Sequence, residues 1–181
     1  MGDAALLGLF GLVLFAVLLL LLRRSRRHRA TGPARSGGTR RTLPRAKRPL
    51  AVIDGSNIMH WQDNAPGFAP ISQVVHLLER HGYRTGVIFD ANAGYKLAGR
   101  FLNDAEFGRH LGIGKDNVMV VPKGTQADPY LLRYATETKA IVVSNDRFRD
   151  WLADYPDLAS PGRIVRGGMR EGQVWLDLPK G

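Results

Sequence analysis

The sequence predicts an α/β protein built on a doubly wound parallel β-sheet with helices on both faces. Two observations lead to this class. Near-continuous apolar runs are typical of parallel strands that are buried on both faces, and segments with helical character separate these runs. An alternating order of strands and helices implies parallel strands joined by right-handed crossovers. The predicted strands span residues 50–54, 84–90, 117–121 and 139–144.

Helix signals fill the three intervals between the predicted strands, at residues 70–82, 103–114 and 127–138. Gly82 and Gly112 are placed to end the first two helices. Asp104 and Asp128 are placed to cap the second and third, and a proline follows Asp128. The last segment, residues 162–178, is predicted to form two short strands around a glycine-rich turn at the edge of the sheet.

The positive charge of the chain is concentrated at one end. The 181 residues carry a formal net charge of +10. Residues 1–50 hold 11 of the 26 Lys and Arg residues and one of the 16 acidic residues, so the rest of the chain has 15 of each. Nucleic-acid binding by the folded part would therefore depend on local patches. The absence of cysteine excludes disulfides, thiol nucleophiles and thiolate zinc sites.

Residues 1–22 are predicted to form a single transmembrane anchor. Residues 4–22 are uncharged and would span about 28 Å as a helix, close to the ~30 Å hydrocarbon core of a bilayer. A cleaved signal peptide is the alternative, but the basic residues here follow the apolar run instead of preceding it. The positive-inside rule then places the rest of the chain in the cytoplasm, as a single-pass membrane protein.

Residues 23–48 are predicted to be a basic, flexible tether, because they are rich in Gly, Pro, Ser and Thr and poor in large apolar side chains. Their arginines are expected to lie against anionic lipid head groups, each gaining about 1 kcal/mol. Binding of RNA by the tether is the alternative. Residues 49–181 are predicted to form the folded domain.

Four aspartates are predicted to meet at one edge of the sheet. Asp54 and Asp90 end the first two strands, Asp146 follows the fourth, and Asp128 opens the helix after the third. Ligands of doubly wound sheets bind outside the carboxyl ends of the strands. Gathered carboxylates repel one another unless a cation lies between them, and oxygen ligands suit Mg²⁺ or Mn²⁺. Alternatively, these aspartates are only turn residues and helix caps.

Other chemistries fit less well. No GxGxxG follows the first strand and no GxxxxGK[ST] occurs, which argues against dinucleotide and P-loop sites. The five histidines are scattered without metal-ligand spacing. Asp150 lies four residues after Asp146, where it would share a helical face or pair with Arg147 or Arg149.

Two motifs resemble the NYN branch of the PIN-like nucleases, and specifically the Zc3h12a-like (Regnase-type) ribonuclease domain. They are VIDGSNI at 52–58 and AIVVSNDRFRDW at 140–151. The resemblance continues in weaker form over most of 49–165 and does not cover 1–48. It implies a PIN-like fold and a metal-dependent endoribonuclease that cleaves single-stranded RNA with Mg²⁺ or Mn²⁺.

The resemblance also implies roles for five residues as the catalytic set. Asp54, Asp128 and Asp146 would hold the ion, Asn57 would orient the first carboxylate or a phosphate, and Asp150 would complete the acidic ring. The chemistry needs no histidine or cysteine, because a bound ion polarises the phosphodiester and lowers the pKa of a water.

The chain departs from the family pattern in two places. Family members often have adjacent aspartates where this chain has Ala127-Asp128, which removes one ligand, and Asp90 on the same rim could compensate. The Cys/His zinc finger of animal relatives is absent. Substrate contacts are expected from Ser144, Asn145, Lys123, Arg147 and Arg149, while Trp61 or Tyr95 could stack on a base.

The leading hypothesis is therefore a membrane-anchored endoribonuclease whose catalytic domain is cytoplasmic. The first alternative is a catalytically weak NYN module that binds RNA or a protein partner at the membrane, which the alanine at 127 favours. The second is a DNA nuclease of the wider PIN group. Assembly as a homo-oligomer is a further possibility.

Overall fold

A five-stranded, fully parallel sheet forms the centre of the domain. The computed structural model describes residues 48–179. The strand order is β3-β2-β1-β4-β5, with β1 in the middle. The four strands predicted from apolar runs are all present, and their ends differ from the prediction by at most two residues. The strands are β1 (Leu50–Asp54), β2 (Arg84–Phe89), β3 (Val118–Val120), β4 (Ile141–Val143) and β5 (Ile164–Val165).

Five α-helices lie between these strands or beside them. Three of them, α2, α4 and α5, correspond to the predicted helices, whereas the short helices α1 and α3 were not predicted. The helices are α1 (Gly55–Ile58), α2 (Phe68–Arg80), α3 (Ala93–Ala98), α4 (Asp104–Leu111) and α5 (Asp128–Thr138), with 3₁₀ turns at Lys115–Asn117 and Pro156–Ala159.

Helices cover both faces of the sheet, which confirms the predicted class. One face carries the main apolar cluster, in which side chains of β1 such as Ile53 pack with residues of α2 and α4 such as Leu78 and Phe107. Because side chains alternate along a strand, the neighbours of Ile53 point to the opposite face. Helix α5 packs against β1 and β4, with Leu131 and Leu132 buried.

The C-terminal segment differs from the prediction of two edge strands. β5 does extend the sheet, beside β4. Two further strands, β6 (Gly167–Arg170) and β7 (Gln173–Leu176), pair only with each other in an antiparallel hairpin. The Gln73 side chain of α2 holds this hairpin, since it donates to the Gly172 carbonyl at 3.1 Å and accepts from the Val174 N–H at 3.0 Å.

Both predicted aspartate caps were wrong by one position. Helix α4 is capped by Asn103 in a reciprocal capping box with Glu106, because Asn103 has the extended backbone that a cap requires. The Asp104 carboxylate instead accepts from the Val120 N–H at 2.8 Å, which ties α4 to β3. Ala127 occupies the cap position of α5 and Asp128 is already helical, so the Asp128 carboxylate makes no cap hydrogen bond.

The predicted anchor (1–22) and nearly all of the predicted tether (23–48) lie outside the described residues. Among residues 48–179, no helix has both the length and the apolar character needed to cross a bilayer, and the longest, α2, has 13 residues.

Candidate active site

The strand order creates a crevice at the carboxyl ends of β1 and β4. The chain proceeds from β1 to β2 and β3 on one side, then crosses to β4 on the other side of β1. Such a reversal is where doubly wound sheets bind ligands. Ile53 of β1 lies opposite Val143 of β4, so the next residues, Asp54 and Ser144, emerge side by side.

Asp54 is a buried carboxylate that is held at both oxygens. It is 6% exposed. Its Oδ1 accepts from the Asn57 N–H at 3.0 Å, which caps α1, and its Oδ2 accepts from the Ser144 hydroxyl at 2.8 Å. Asp54 therefore does cap a helix, as the alternative interpretation expected. A helix cap does not need to be buried, however, so capping alone does not explain why this carboxylate is buried.

Ser144 joins two of the predicted ligands. Its hydroxyl donates to Asp54 and accepts from the Asp146 N–H at 3.0 Å. The Asp146 Oδ1 accepts from the Phe148 N–H at 2.7 Å, which closes a local turn. Ser144 is completely buried, so the structure contradicts its predicted contact with substrate. It is a positioning residue for the two aspartates.

Asn57 fixes the loop that follows β4. Its Oδ1 accepts from the Trp61 indole N–H at 2.9 Å and from the Asn145 N–H at 3.1 Å. The Asn145 amide in turn bonds to the Gly167 carbonyl at 2.9 Å and the Gly167 N–H at 3.2 Å. Only the backbone of Asn57 contacts the Asp54 carboxylate, so the side chain orients the Asn145 loop and not that carboxylate. Trp61 packs against the core and is engaged in this network.

Asp90 brings a fourth carboxylate to the same rim. It follows β2, its N–H donates to the Ser56 hydroxyl at 2.8 Å, and its Oδ1 accepts from the Ala127 N–H at 3.0 Å. Asp90 thus holds the backbone of the position at which family members often carry an additional aspartate. The strand-end rule pointed to this residue, but the resemblance assigned it no role and it was left out of the expected ligands.

The carboxylates influence one another electrostatically. Burial raises the pKa of Asp54 to about 7; the hydrogen bonds from Ser144 and Asn57 lower that pKa, and the charges of Asp128 and Asp90 raise it. Burial also raises the pKa of Asp128, and the charges of Asp146 and Asp90 add to this, whereas a hydrogen bond with Trp151 lowers it. The four aspartates therefore form one electrostatic cluster.

The donor set of this cluster fits a hard divalent cation. All four side chains offer carboxylate oxygens, and each Asp54 oxygen accepts one hydrogen bond where it has two lone pairs. Mutual repulsion is the strain that a cation relieves. In residues 48–179, no three acidic or histidine side chains are yet close enough together to coordinate one ion, so the carboxylates are gathered but not assembled into a finished site.

The remaining predicted site residues lie around this cluster. Asp150 is exposed in the turn after Phe148, and no regular helix places it on one face with Asp146. The predicted helical relation between these two residues was therefore wrong. Arg147, Arg149 and Lys123 are exposed, as substrate contacts require. Asn145 is exposed too, but its side-chain amide already bonds to Gly167. Lys123 and Asp90 line the same surface groove.

A family model matches most of the folded domain. The family model described as the Zc3h12a-like Ribonuclease NYN domain matches residues 47–163, which is more than half of the chain. The chain belongs to this family. The prediction that residues 49–165 resemble an NYN ribonuclease domain is thereby confirmed. The hairpin β6–β7 lies beyond the matched residues.

One solved structure shows a similar fold. The crystal structure of nuclear proteinaceous RNase P 2 (PRORP2) from A. thaliana matches 71% of this chain with a TM-score of 0.55 and 20% identity. A second structure of the A. thaliana nuclear protein-only RNase P 2 matches 95% of this chain at 19% identity and a TM-score of 0.49. The matched regions cover 29% and 35% of those chains, so the present chain corresponds to about a third of their length. Comparison with curated proteins found no match.

Replacement of Asn57 should test the positioning network. In Asn57→Ala, the Trp61 indole N–H and the Asn145 N–H lose their acceptor; the part-buried indole N–H costs about 1–3 kcal/mol if it stays unpaired, whereas the exposed Asn145 N–H can bond to water. We expect lower thermal stability and a lower kcat for RNA with little change in KM. Asn57→Asp retains an acceptor oxygen and should recover part of the stability; recovery is incomplete because it adds a negative charge beside the aspartate cluster. Equal melting temperatures for Asn57→Ala and the wild type would contradict this role.

Proposed function

We propose that this chain is a divalent-metal-dependent endoribonuclease that hydrolyses phosphodiester bonds in single-stranded RNA. Family membership supports the ribonuclease class. The metal dependence is supported by one observation above all, the gathering of four carboxylates at the switch point of the sheet, where burial and then the neighbouring negative charges raise the pKa of Asp54 and of Asp128. In this proposal Asp54, Asp128 and Asp146 hold Mg²⁺ or Mn²⁺, and Asp90 replaces the aspartate missing at 127.

The residues of the chain divide the work as follows. Asp54 provides a fixed carboxylate, because the Ser144 hydroxyl and the Asn57 N–H hold both of its oxygens. Asp128 and Asp146 are more accessible than Asp54 and offer their carboxylates after β3 and after β4. A bound cation supplies Lewis-acid polarisation of the phosphodiester and a more acidic water. Arg147, Arg149 and Lys123 bind phosphates, and Asp150 completes the acidic rim.

The direct test is cleavage of matched single-stranded RNA and DNA by the purified full chain with Mg²⁺, Mn²⁺ or EDTA. We expect endonucleolytic cleavage of RNA that requires the metal and is abolished by EDTA. Cleavage in EDTA would contradict the metal-dependent mechanism. Preferential cleavage of DNA would favour the alternative of a DNA nuclease.

One observation favours the alternative of a catalytically weak NYN module. Ala127 removes a family carboxylate, and in the described part of the chain the acids are not assembled around an ion position. Such a module would bind RNA or a protein partner, alone or as a homo-oligomer, without cleavage. Binding of single-stranded RNA with no metal-dependent cleavage would establish this alternative.

We further propose that residues 1–22 anchor the chain in a membrane with the domain on the cytoplasmic side. The uncharged apolar run and the basic residues that follow it support this proposal. The full chain should remain in the membrane fraction after carbonate extraction, and a reporter fused after Gly181 should be cytoplasmic. Extracytoplasmic activity of that reporter would contradict the topology.

Removal of the tail should separate anchoring from catalysis. If the arginines of residues 23–48 serve lipid binding, a chain that begins at Pro49 should leave the membrane fraction but retain its cleavage rate on a short RNA. A rate loss of about tenfold, equivalent to ~1.4 kcal/mol, with an unchanged melting temperature would instead assign RNA binding to the tail.

A further inference from the structure

A preformed groove lies directly beside the acidic cluster. Its volume is about 670 Å³, within the range of about 300–1,000 Å³ that is typical of small-molecule sites. Asp90 is one of its lining residues, so the groove adjoins the candidate active site. Tyr95, Phe101 and Lys123 also line it.

The two aromatic rings are exposed although their backbones are fixed. Tyr95 is 58% exposed and Phe101 is 48% exposed, whereas most large apolar side chains of the domain are buried. Gly94 allows α3 to contact the segment that carries Phe101, because a Cβ at Gly94 would lie 2.6 Å from the Leu102 nitrogen and 2.8 Å from the Arg100 carbonyl oxygen. The Arg100 guanidinium also donates to the Phe101 carbonyl at 3.1 Å. The rings are therefore displayed on a rigid frame.

The turn that carries Lys123 is fixed as well. The Pro122 carbonyl accepts from the Thr125 N–H at 3.1 Å and from the Thr125 hydroxyl at 2.7 Å, so Lys123 projects from a closed turn. β3 leads into this turn, and the Asp104 carboxylate holds the Val120 N–H. The groove thus combines two exposed rings, one ammonium group and a rigid backbone.

We propose that this groove binds an unpaired nucleobase of the RNA substrate, next to the phosphodiester that is cleaved at the acidic cluster. The inference rests on the function proposed above. Bases of single strands stack on aromatic side chains, and a basic residue beside them tracks the phosphate backbone. Tyr95 and Phe101 supply the stacking surface, and Lys123 pairs with the adjoining phosphate. A base held in a duplex cannot enter, so the groove selects single-stranded substrate.

The first test is a binding titration with the full chain in EDTA, so that RNA is bound but not cleaved. We expect Tyr95→Ala and Phe101→Ala each to weaken binding of a short labelled single-stranded RNA by about tenfold. Tyr95→Phe should bind like the wild type, because the ring remains. Lys123→Ala should weaken binding and reduce the salt dependence by about one phosphate contact. Trp175→Ala is the matched control, since Trp175 is 44% exposed and lies on the hairpin, outside the groove.

The second test removes the base instead of the ring. A series of RNAs, each with one abasic nucleotide, should contain a position at which the wild type loses about tenfold in affinity. In Tyr95→Ala the same abasic RNA should cause little further loss, because the partner ring is already absent. Melting temperatures confirm that each variant is folded.

The outcomes separate this inference from the proposed function. RNA affinity that is insensitive to every abasic position would overturn the nucleobase proposal. An equal loss of affinity in Trp175→Ala and Tyr95→Ala would overturn it too. The groove would then bind a different partner, such as a peptide. Metal-dependent cleavage could persist in that case. Conversely, ring-dependent RNA binding without any cleavage would overturn the catalytic proposal and retain the groove.

Discussion

Asp54→Asn is expected to reduce metal-dependent RNA cleavage by about 100-fold or more while the protein remains folded. The asparagine retains one oxygen, which can still accept the Asn57 N–H, and its amide can donate to the Ser144 hydroxyl, although the Ser144 O–H then loses the acceptor that Asp54 provides. The negative charge is lost, however, and loss even of an outer-shell partner of a metal ligand costs about 10–100-fold. Asp146→Asn should behave similarly, because its carboxylate belongs to the same cluster. Cleavage of a labelled single-stranded RNA measures both effects.

The stability of Asp54→Asn should depend on pH in a defined direction. The folded-state pKa of Asp54 is raised from 3.8 to about 7, so between these values the folded protein binds more protons than the unfolded chain. The contribution of Asp54 to the free energy of unfolding therefore falls as pH rises from about 4 to about 7. Asparagine does not titrate. In EDTA, the free energy of unfolding of Asp54→Asn should therefore rise relative to that of the wild type between about pH 4 and about pH 7, and the difference should persist above pH 7. The pKa shift of Asp54 limits this change in the free energy of unfolding to about 4 kcal/mol.

Melts with and without Mg²⁺ complete this prediction. The cation should stabilise the wild type more than Asp54→Asn, because binding to the folded state alone raises its stability. Asp116→Asn is the matched control, since Asp116 precedes β3 and so lies at the opposite edge of the sheet. Full cleavage by Asp146→Asn would refute the metal site. So would equal Mg²⁺ stabilisation of the wild type, Asp54→Asn and Asp146→Asn. Either result would favour the catalytically weak binding module.

Gly55→Ala is expected to cause a large loss of stability. A Cβ at Gly55 would lie within 2.7 Å of three atoms of the Phe89 ring. That ring is fully buried and stacks on Phe107 with a centroid separation of 3.9 Å, so it has little space into which it can move. Overpacking typically costs about 1–3 kcal/mol, and the rigidity of this stack places the cost at the upper end. The melting temperature should fall by roughly 10 °C.

A double variant identifies the cause of this loss. Gly55→Ala combined with Phe89→Leu removes the obstructing ring atoms and should be more stable than the sum of the two single changes predicts. Gly114→Ala is the control, because a Cβ there would meet its nearest neighbour, the Asn117 side-chain nitrogen, at 3.8 Å, and the backbone φ is −65°. An unchanged melting temperature for Gly55→Ala would show that the close approach of α1 to Phe89 is not required.

The sheet was predictable because buried parallel strands are written as continuous apolar runs, and four of the five strands were found in this way. The short helix α3 was missed because its six residues include Gly94 and carry no periodic stripe. The β6–β7 hairpin was predicted at the sheet edge because the residue pattern of a strand does not show which strand it pairs with. The cap of α4 was readable, since Asn103 is followed three residues later by Glu106.

The sequence predicted only those residues of the candidate site that follow directly from where the strands end. The rule that places ligands at carboxyl ends identified Asp54, Asp90 and Asp146 as rim residues. It could not reveal that Ser144 is buried beneath two of them, because that contact joins residues 90 positions apart and depends on the register of β1 against β4. Nor could it show that Asn57 serves the Asn145 loop, a contact across 88 positions.

The double hydrogen bond between the Asn145 amide and Gly167 bears on how the smallest working fragment should be chosen. The family match stops at residue 163, but the loop that carries Asp146 is fastened to the first residue of the hairpin beyond it. A protein trimmed to the matched residues would retain β1 to β4 and every acid of the cluster, and would lose this fastening. The folded unit that holds the acidic cluster is thus longer than the family match, and the hairpin ties down the loop that carries Asp146.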